Sequence, residues 1–208
     1  MLRLHGYFRS TASWRVRIGL NLKGLAWESV ALDLRAGAQR APAYLARNPQ
    51  GLVPALELAE GTLLTQSLAI LEWLEETHPA PPLLPAEPLA RARVRAIALA
   101  IAADLHPVQN LRVLKRVEAL AGADAARSWA HDTVRDGLAA VEMMLTPGPH
   151  AVGAALTLAD VVIVPQLGNA RRFGVDLDPF PRIRTVEAAV AGHPAFEAAR
   201  PEAQPDAP

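Results

Sequence analysis

The stretch from His78 to Pro88, His-Pro-Ala-Pro-Pro-Leu-Leu-Pro-Ala-Glu-Pro, constrains this chain more than any other. Each proline fixes φ, removes an amide donor and disfavours helix in the residue before it. No regular helix or central strand crosses such a segment. It separates two differently patterned regions. Up to Thr77, apolar periods of two and of about 3.6 take turns; beyond Leu89 the helical period runs almost without a break. The pattern predicts an α/β domain over residues 1–80, a proline-rich linker over 81–88 and an all-α domain over 89–208.

Within the first part, LRLHGY alternates with Leu2 and Leu4 on one face and reads as a strand, as does WESVALDL. AQRAPAYLARNPQG reads as a short helix ending in turn chemistry. LVPALELAEGTLLTQ reads as two short strands about an Ala59-Glu60-Gly61 turn, and SLAILEWLEETH as a helix. The order β-α-β-α-β-β-α fits a mixed four-stranded sheet with three helices. WRVRIGL is ambiguous. Its apolar residues alternate as in a strand, yet Trp14, Ile18 and Leu22 are four apart, as are Val16 and Leu20. The hydroxyls ahead of it are N-cap types and favour helix.

After the linker, the segment from Arg91 to Leu120 is a long helical pattern interrupted at Pro107. SWAHDTVRDGLAAVEMML and TLADVVIVPQLGNARRF are further helices, the latter opened by a Thr157/Asp160 pair at capping-box spacing. The closing PEAQPDAP reads as irregular surface chain.

Composition limits the chemistry. With 51% apolar and 20% charged residues the chain is a folded one. Its 21 basic and 21 acidic residues balance, so no overall field draws it to nucleic acid or an anionic membrane. There is no cysteine, so any thiol chemistry takes its sulfur from a small molecule. No metal-ligand spacing of His, Asp and Glu is visible, which predicts no metal site. No apolar run reaches transmembrane length, and the N-terminus lacks a signal-like apolar core, so a cytoplasmic location is expected.

Three polar segments stand where a strand hands over to another element. In RSTAS, Arg9 and the hydroxyls of Ser10, Thr11 and Ser13 precede a helix, whose first amides lack internal partners and carry partial positive charge. A hydroxyl there either caps the helix or donates to an incoming anion. In NPQGLVPAL, a cis Val53-Pro54 bond would turn the Val53 backbone outward to pair with an extended peptide; the alternative is an edge-strand proline. In TQSLAIL, Gln66 and Ser67 open a second helix, as caps or as a second anion site.

Taken together, YFRSTASWRVRIGLNLKG, ARNPQGLVPAL, TQSLAILEWLEETHP, LHPVQNLRVLK and TLADVVIVPQLGNARRFGVDLDPFP resemble the zeta class of glutathione transferases over essentially the whole chain. The resemblance implies a thioredoxin-like N-terminal domain, an all-α C-terminal domain, a homodimer and glutathione as cofactor. It implies that Ser10 is catalytic, donating to the glutathione sulfur, with Thr11 and Ala12 beside it at the helix end. Val53 would pair with the cysteinyl moiety, Gln66 and Ser67 would hold the γ-glutamyl carboxylate, and Gln50 would lie in a cofactor-contacting loop. From the helical domain, His106 and Asn110 would approach glutathione. Thr11 and Ala12 replace the Ser-Cys of the commonest zeta pattern, which removes a protein thiol and leaves a cofactor-borne one as the nucleophile.

The implied activity is cis–trans isomerisation of a maleyl dicarboxylate, maleylacetoacetate first and maleylpyruvate second. The apolar Leu111 favours the former, since the resemblance implies a basic residue there in maleylpyruvate-directed members. Arg9, Arg172 and Arg112 are the expected ligands of the substrate carboxylates, with Arg9 also helping the chemistry; Arg171 competes with Arg172 for that role. His106, Gln109 and Arg112 could share one helix face. Two alternatives are a general transferase conjugating glutathione to electrophiles, and a non-catalytic relative. Lowering a thiol pKa from about 8.5 to about 6.5 takes roughly 2.7 kcal/mol. One hydroxyl bond to a charged acceptor, about 1.5–3 kcal/mol, and a helix end, about 0.3–1 kcal/mol, supply that without a metal.

Overall fold

A computed structural model describes all 208 residues. They form two compact units: Met1–Pro82 together with Ala191–Pro208, and Leu83–Val190.

The first unit runs β1 (Leu2–Gly6), α1 (Thr11–Leu22), β2 (Trp27–Ala31), a 3-10 turn at Ala38–Arg40, α2 (Pro42–Leu45), β3 (Ala55–Glu57), β4 (Leu63–Thr65) and α3 (Ser67–Thr77). The strands lie in the order β2-β1-β3-β4, with β1 and β2 parallel and the other pairs antiparallel. The expected mixed four-stranded sheet is therefore present. His5 stands opposite Ala55, and Ala55 opposite Thr65. Three connections consequently leave the sheet at one end: the turn after β1, the segment before β3 and the entry to α3.

WRVRIGL is helical, and α1 is buried on nearly every side from Thr11 to Leu20. The period-two alternation misleads because Arg15 and Arg17 are themselves inside, 1% and 3% exposed. α1 packs on α3. At their crossing a Cβ on Gly19 would lie 2.2 Å from Leu71 Cδ2, so any side chain there would have to displace the buried Leu71. Val16, Ile18, Leu20, Leu56, Ile70 and Leu74 are fully enclosed and form the core of this unit.

A helical domain running to residue 208 is corrected at its end. Residues 191–208 belong to the first unit, where α10 (Pro194–Glu197) packs on α1. Arg17 Nε donates to Ala199 O at 2.9 Å, and Asn21 Nδ2 to Ala195 O at 3.1 Å. PEAQPDAP is not loose surface chain either. It contains a 3-10 turn at Pro201–Ala203, and Gln204 is buried, its amide donating to Ala198 O and Arg200 O. A buried guanidinium requires acceptors, and the C-terminal segment supplies them.

The linker is also shorter than expected. Leu83 and Leu84 are buried in the second unit, where Leu158 N donates to Leu83 O at 2.7 Å. That unit comprises α4 (Pro88–Leu99), a π-helical stretch (Ala100–Leu105), α5 (His106–Val108), α6 (Leu111–Ala121), α7 (Ala123–Met144), α8 (Leu158–Arg172) and α9 (Pro181–Ala189). α8 is its centre, enclosed from Leu158 to Leu167 and packed by α4, α7 and α9. Its expected capping box is present: Asp160 Oδ2 accepts from the Thr157 amide and hydroxyl, both at 2.8 Å. No helix is long and apolar enough to cross a membrane.

Candidate active site

The turn between β1 and α1 is closed by Ser10 N donating to Tyr7 O at 3.0 Å. Ser10 is the N-cap of α1, with extended backbone (φ −69°, ψ 116°), and its Oγ accepts from Ser13 N at 3.2 Å. The two sequence alternatives, cap or anion donor, are thus compatible. Capping occupies an oxygen lone pair and leaves the hydroxyl proton to donate. Ser10 is half-buried, Thr11 and Ala12 behind it are buried, and Arg9 is exposed, with its guanidinium carbon 6.0 Å from the centre of the Phe8 ring. A partly accessible hydroxyl on the positive end of a twelve-residue helix suits a thiolate or other soft anion.

At the same end of the sheet, the Val53–Pro54 peptide bond is cis, as expected. Val53 precedes β3, and its amide and carbonyl enter none of the main-chain hydrogen bonds of the turns and loops. An extended peptide would find a donor and an acceptor there.

Gln66 and Gln50 meet directly: Gln66 Nε2 donates to Gln50 Oε1 at 2.7 Å, on the surface. Gln66 occupies the N-cap position of α3 without making a side-chain cap, so the capping alternative fails here. It is also the only non-glycine residue with positive φ (70°), a conformation that costs of order 1–3 kcal/mol and concentrates at ligand-binding positions. Ser67, beside it, is buried, and its Oγ accepts from Arg15 Nη1 at 3.4 Å. This bond joins the start of α3 to the helix that Ser10 caps. Burial pushes the Arg15 guanidinium down to about 9, so it remains a cation at neutral pH.

Gln39 escaped the sequence reading. Its Oε1 is buried and has no hydrogen-bond partner, and its carbonyl lies close to Gly51 in the loop that follows Gln50. An orphaned buried acceptor next to the loop that carries the exposed Gln50 has room for a donor brought by a ligand. No local pattern signals it, because the 3-10 turn that carries Gln39 has no hydrophobic period of its own.

In the helical unit, His106, Gln109 and Arg112 do not share one helix face. His106 lies on α5 and Arg112 on α6, with a break at Gln109 and Asn110 between them. Asn110 caps α6, its Oδ1 accepting from Arg112 N at 3.2 Å. Pro107 sits inside α5, and the interruption falls just after it. His106 is half-buried, Arg112 exposed, and Gln109 is 3% exposed with Nε2 lacking a partner. Near the end of α8, Arg171 makes a two-pronged pair with Glu187, at 2.7 and 2.6 Å. Arg172 instead donates to Asn169 Oδ1 and stacks over Phe173 at 5.1 Å, its side chain exposed.

Residues 9–77 match the family model for the glutathione S-transferase N-terminal domain. The maleylacetoacetate isomerase of Pseudomonas aeruginosa is 49% identical, with 100% of this chain and 99% of that one covered. A maleylacetoacetate isomerase from Anaeromyxobacter dehalogenans, solved with glutathione in its active site, superposes with a TM-score of 0.92 at 49% identity over 100% of this chain and 98% of that one. The same protein has been solved with dicarboxyethyl glutathione and citrate. A maleylpyruvate isomerase described as a bacterial zeta-class glutathione S-transferase superposes at 0.95 with 43% identity, over 99% of this chain and 100% of that one. Strand order, the cis bond before β3, the polar end of α1 and these full-length likenesses agree: the chain belongs to the zeta class of glutathione transferases, the family of the maleylacetoacetate and maleylpyruvate isomerases.

Proposed function

We propose that this protein is a glutathione-dependent isomerase that converts maleylacetoacetate to its trans isomer. The observation that carries the reading is the half-buried Ser10 hydroxyl, which caps α1 through its oxygen and keeps its proton for an anion. The residues fit the tripeptide: a hydroxyl donor at a helix end, an unpaired main-chain amide and carbonyl at Val53, and polar side chains at Gln50, Gln66 and the orphaned Gln39.

Bound glutathione supplies a thiolate that adds reversibly to the activated cis double bond, which turns as a single bond before the thiolate leaves. Ser10 holds that thiolate ionised by donating a hydrogen bond from its hydroxyl, with the first amides of α1 behind it. Thr11 and Ala12 contribute backbone at this end. Val53 pairs with the peptide main chain of the cofactor, while Gln66 and Ser67 grip its γ-glutamyl carboxylate, the cation of Arg15 reinforcing the Ser67 hydroxyl. Arg9 orients the dicarboxylate and stabilises negative charge that develops on its carbonyl side. Arg172 and Arg112 keep the carboxylate-binding role, and His106 and Asn110 the glutathione-binding role, that the family resemblance implies for them. A homodimer and a cytoplasmic location accompany this reading.

Maleylacetoacetate is placed ahead of maleylpyruvate because two bacterial isomerases named for it are 49% and 50% identical, against 44% for a maleylpyruvate isomerase. The test is isomerisation of maleylacetone and of maleylpyruvate, each with and without glutathione, beside conjugation of a chloro-aromatic acceptor. The reading requires glutathione-dependent isomerisation that exceeds conjugation, with maleylacetone the better substrate. A preference for maleylpyruvate reverses the order of substrates, and conjugation alone replaces the isomerase by a transferase.

A further inference from the structure

The turn that presents Ser10 is held by groups from outside it. Arg17, two helical turns further along α1, sends Nη2 to Phe8 O at 2.9 Å and Nη1 to Tyr7 O at 3.5 Å. Between those two carbonyls, Phe8 N–H donates to Asp206 Oδ2 at 2.8 Å. Asp206 lies 198 residues away in sequence, in the C-terminal segment. Arg17 is tied to that segment as well, through Nε to Ala199 O; burial pushes its guanidinium down to about 10, the negative charges of Asp206 and Glu202 offset part of that, and it stays a cation at neutral pH. The segment is stiff where it approaches: Pro201 and Pro205 flank the buried Gln204, whose amide holds Ala198 O and Arg200 O.

We propose that Asp206 and Arg17 are positioning residues of the active site, fixing the path of the Tyr7–Ser10 turn and hence the direction in which the Ser10 hydroxyl points. The physical case is one of accounting. Closed only by Ser10 N to Tyr7 O, the turn would leave the Phe8 amide and carbonyl to water, and its four residues would keep their freedom. With the guanidinium on two carbonyls and the carboxylate on the amide between them, the Tyr7 carbonyl and both main-chain groups of Phe8 have fixed partners. A hydroxyl that must meet a sulfur within hydrogen-bond distance loses much of its effect when displaced by about 1 Å. The Phe8 ring, carried on the same turn, also lies against the Arg9 guanidinium, so the brace reaches the residue proposed to orient the substrate. This proposal rests on the isomerase reading.

The experiment compares wild type, Asp206→Ala, Asp206→Asn and a chain ending at Gln204. The Asp206→Asn variant keeps an oxygen acceptor for Phe8 N–H and loses the charge. The readouts are kcat and KM for maleylacetone, the pH titration of bound glutathione by thiolate absorbance, the thermal midpoint, and amide hydrogen exchange at residues 7–10 in ligand-free protein. The expected result is a drop of about tenfold or more in kcat for Asp206→Ala and for the shortened chain. The thiol titration should move to higher pH, exchange at Phe8 should be at least about tenfold faster, and the midpoint should change little. Asp206→Asn should recover most of the rate. The proposal is overturned if Asp206→Ala keeps the wild-type rate and thiol titration, or if the rate falls only in step with the midpoint while the titration stays in place. If wild type itself shows neither thiolate nor isomerisation, the functional reading has failed. Exchange at Phe8 then decides the brace alone, and unchanged exchange in Asp206→Ala overturns it.

Discussion

Ser10 Oγ accepts the amide proton of Ser13 at 3.2 Å, so one hydroxyl ends a helix and still has its own proton to give. Two consequences of removing it can be separated. Ser10→Ala loses the cap and the donor together, at about 1 kcal/mol of stability for the cap. Loss of a bond to a charged acceptor, about 1.5–3 kcal/mol, lowers kcat by roughly 10- to 150-fold. Ser10→Asn keeps a capping oxygen and should keep the thermal midpoint, yet lose similar activity. Steady-state kinetics beside thermal melts check both. Wild-type turnover in Ser10→Ala would reduce Ser10 to a cap.

Gln66 holds a backbone that side-chain-bearing residues rarely adopt, with φ 70° and ψ 116°. Relief of strain worth about 1–3 kcal/mol, set against the entropy cost of glycine of about 0.5–1 kcal/mol, makes Gln66→Gly neutral to stabilising. Gln66→Ala keeps the strain and gains nothing. Both should weaken glutathione binding about tenfold, as measured by calorimetry. A Gln66→Gly protein that melts well below wild type would show that the backbone is not strained.

The adjacent arginines at the end of α8 should behave differently. Arg171 is engaged by Glu187, whose hydrogen bonds hold its guanidinium above the ordinary range. Arg171→Ala loses an exposed ion pair worth about 0–1 kcal/mol and leaves KM unchanged. Arg172→Ala should raise KM for the dicarboxylate about tenfold or more while leaving that for glutathione alone. The opposite assignment, with KM responding to Arg171 only, would move the carboxylate site.

Glu57 sets an acid limit on the first unit. The hydrogen bond from His5, at 2.7 Å, and then that from Arg47 hold its carboxyl down to about 2. A depressed carboxyl contributes stability fully above its unfolded pKa, about 4.3, and loses it as pH falls toward the folded value. Denaturant midpoints of wild type should therefore fall between about pH 4.3 and 2, and Glu57→Gln should show a flatter profile there, with lower stability at neutral pH. Parallel profiles would assign acid unfolding to other groups.

Much of this molecule is visible along the chain because the forces concerned are local. Most strand and helix periods, the end of α3 at the prolines after Thr77, the cap at Ser10 and the Thr157/Asp160 box each involve residues within a few positions, and each is present. The helix face expected to carry His106, Gln109 and Arg112 failed for an equally local reason, namely that Asn110 starts a new helix and ends the old one.

By itself, then, the amino-acid order determined which segments are strands and helices, where α1 begins, and that any reactive sulfur must come from outside, because those outcomes depend on neighbours in sequence and on composition. Tertiary structure alone decided that two arginines of α1 lie inside, that Gln50 and Gln66 meet, and that the last residues return to the turn before Ser10. A guanidinium is stable in the interior only where carbonyls converge on it, and the Ala199 carbonyl that Arg17 uses lies 182 residues away, beyond the reach of any local pattern.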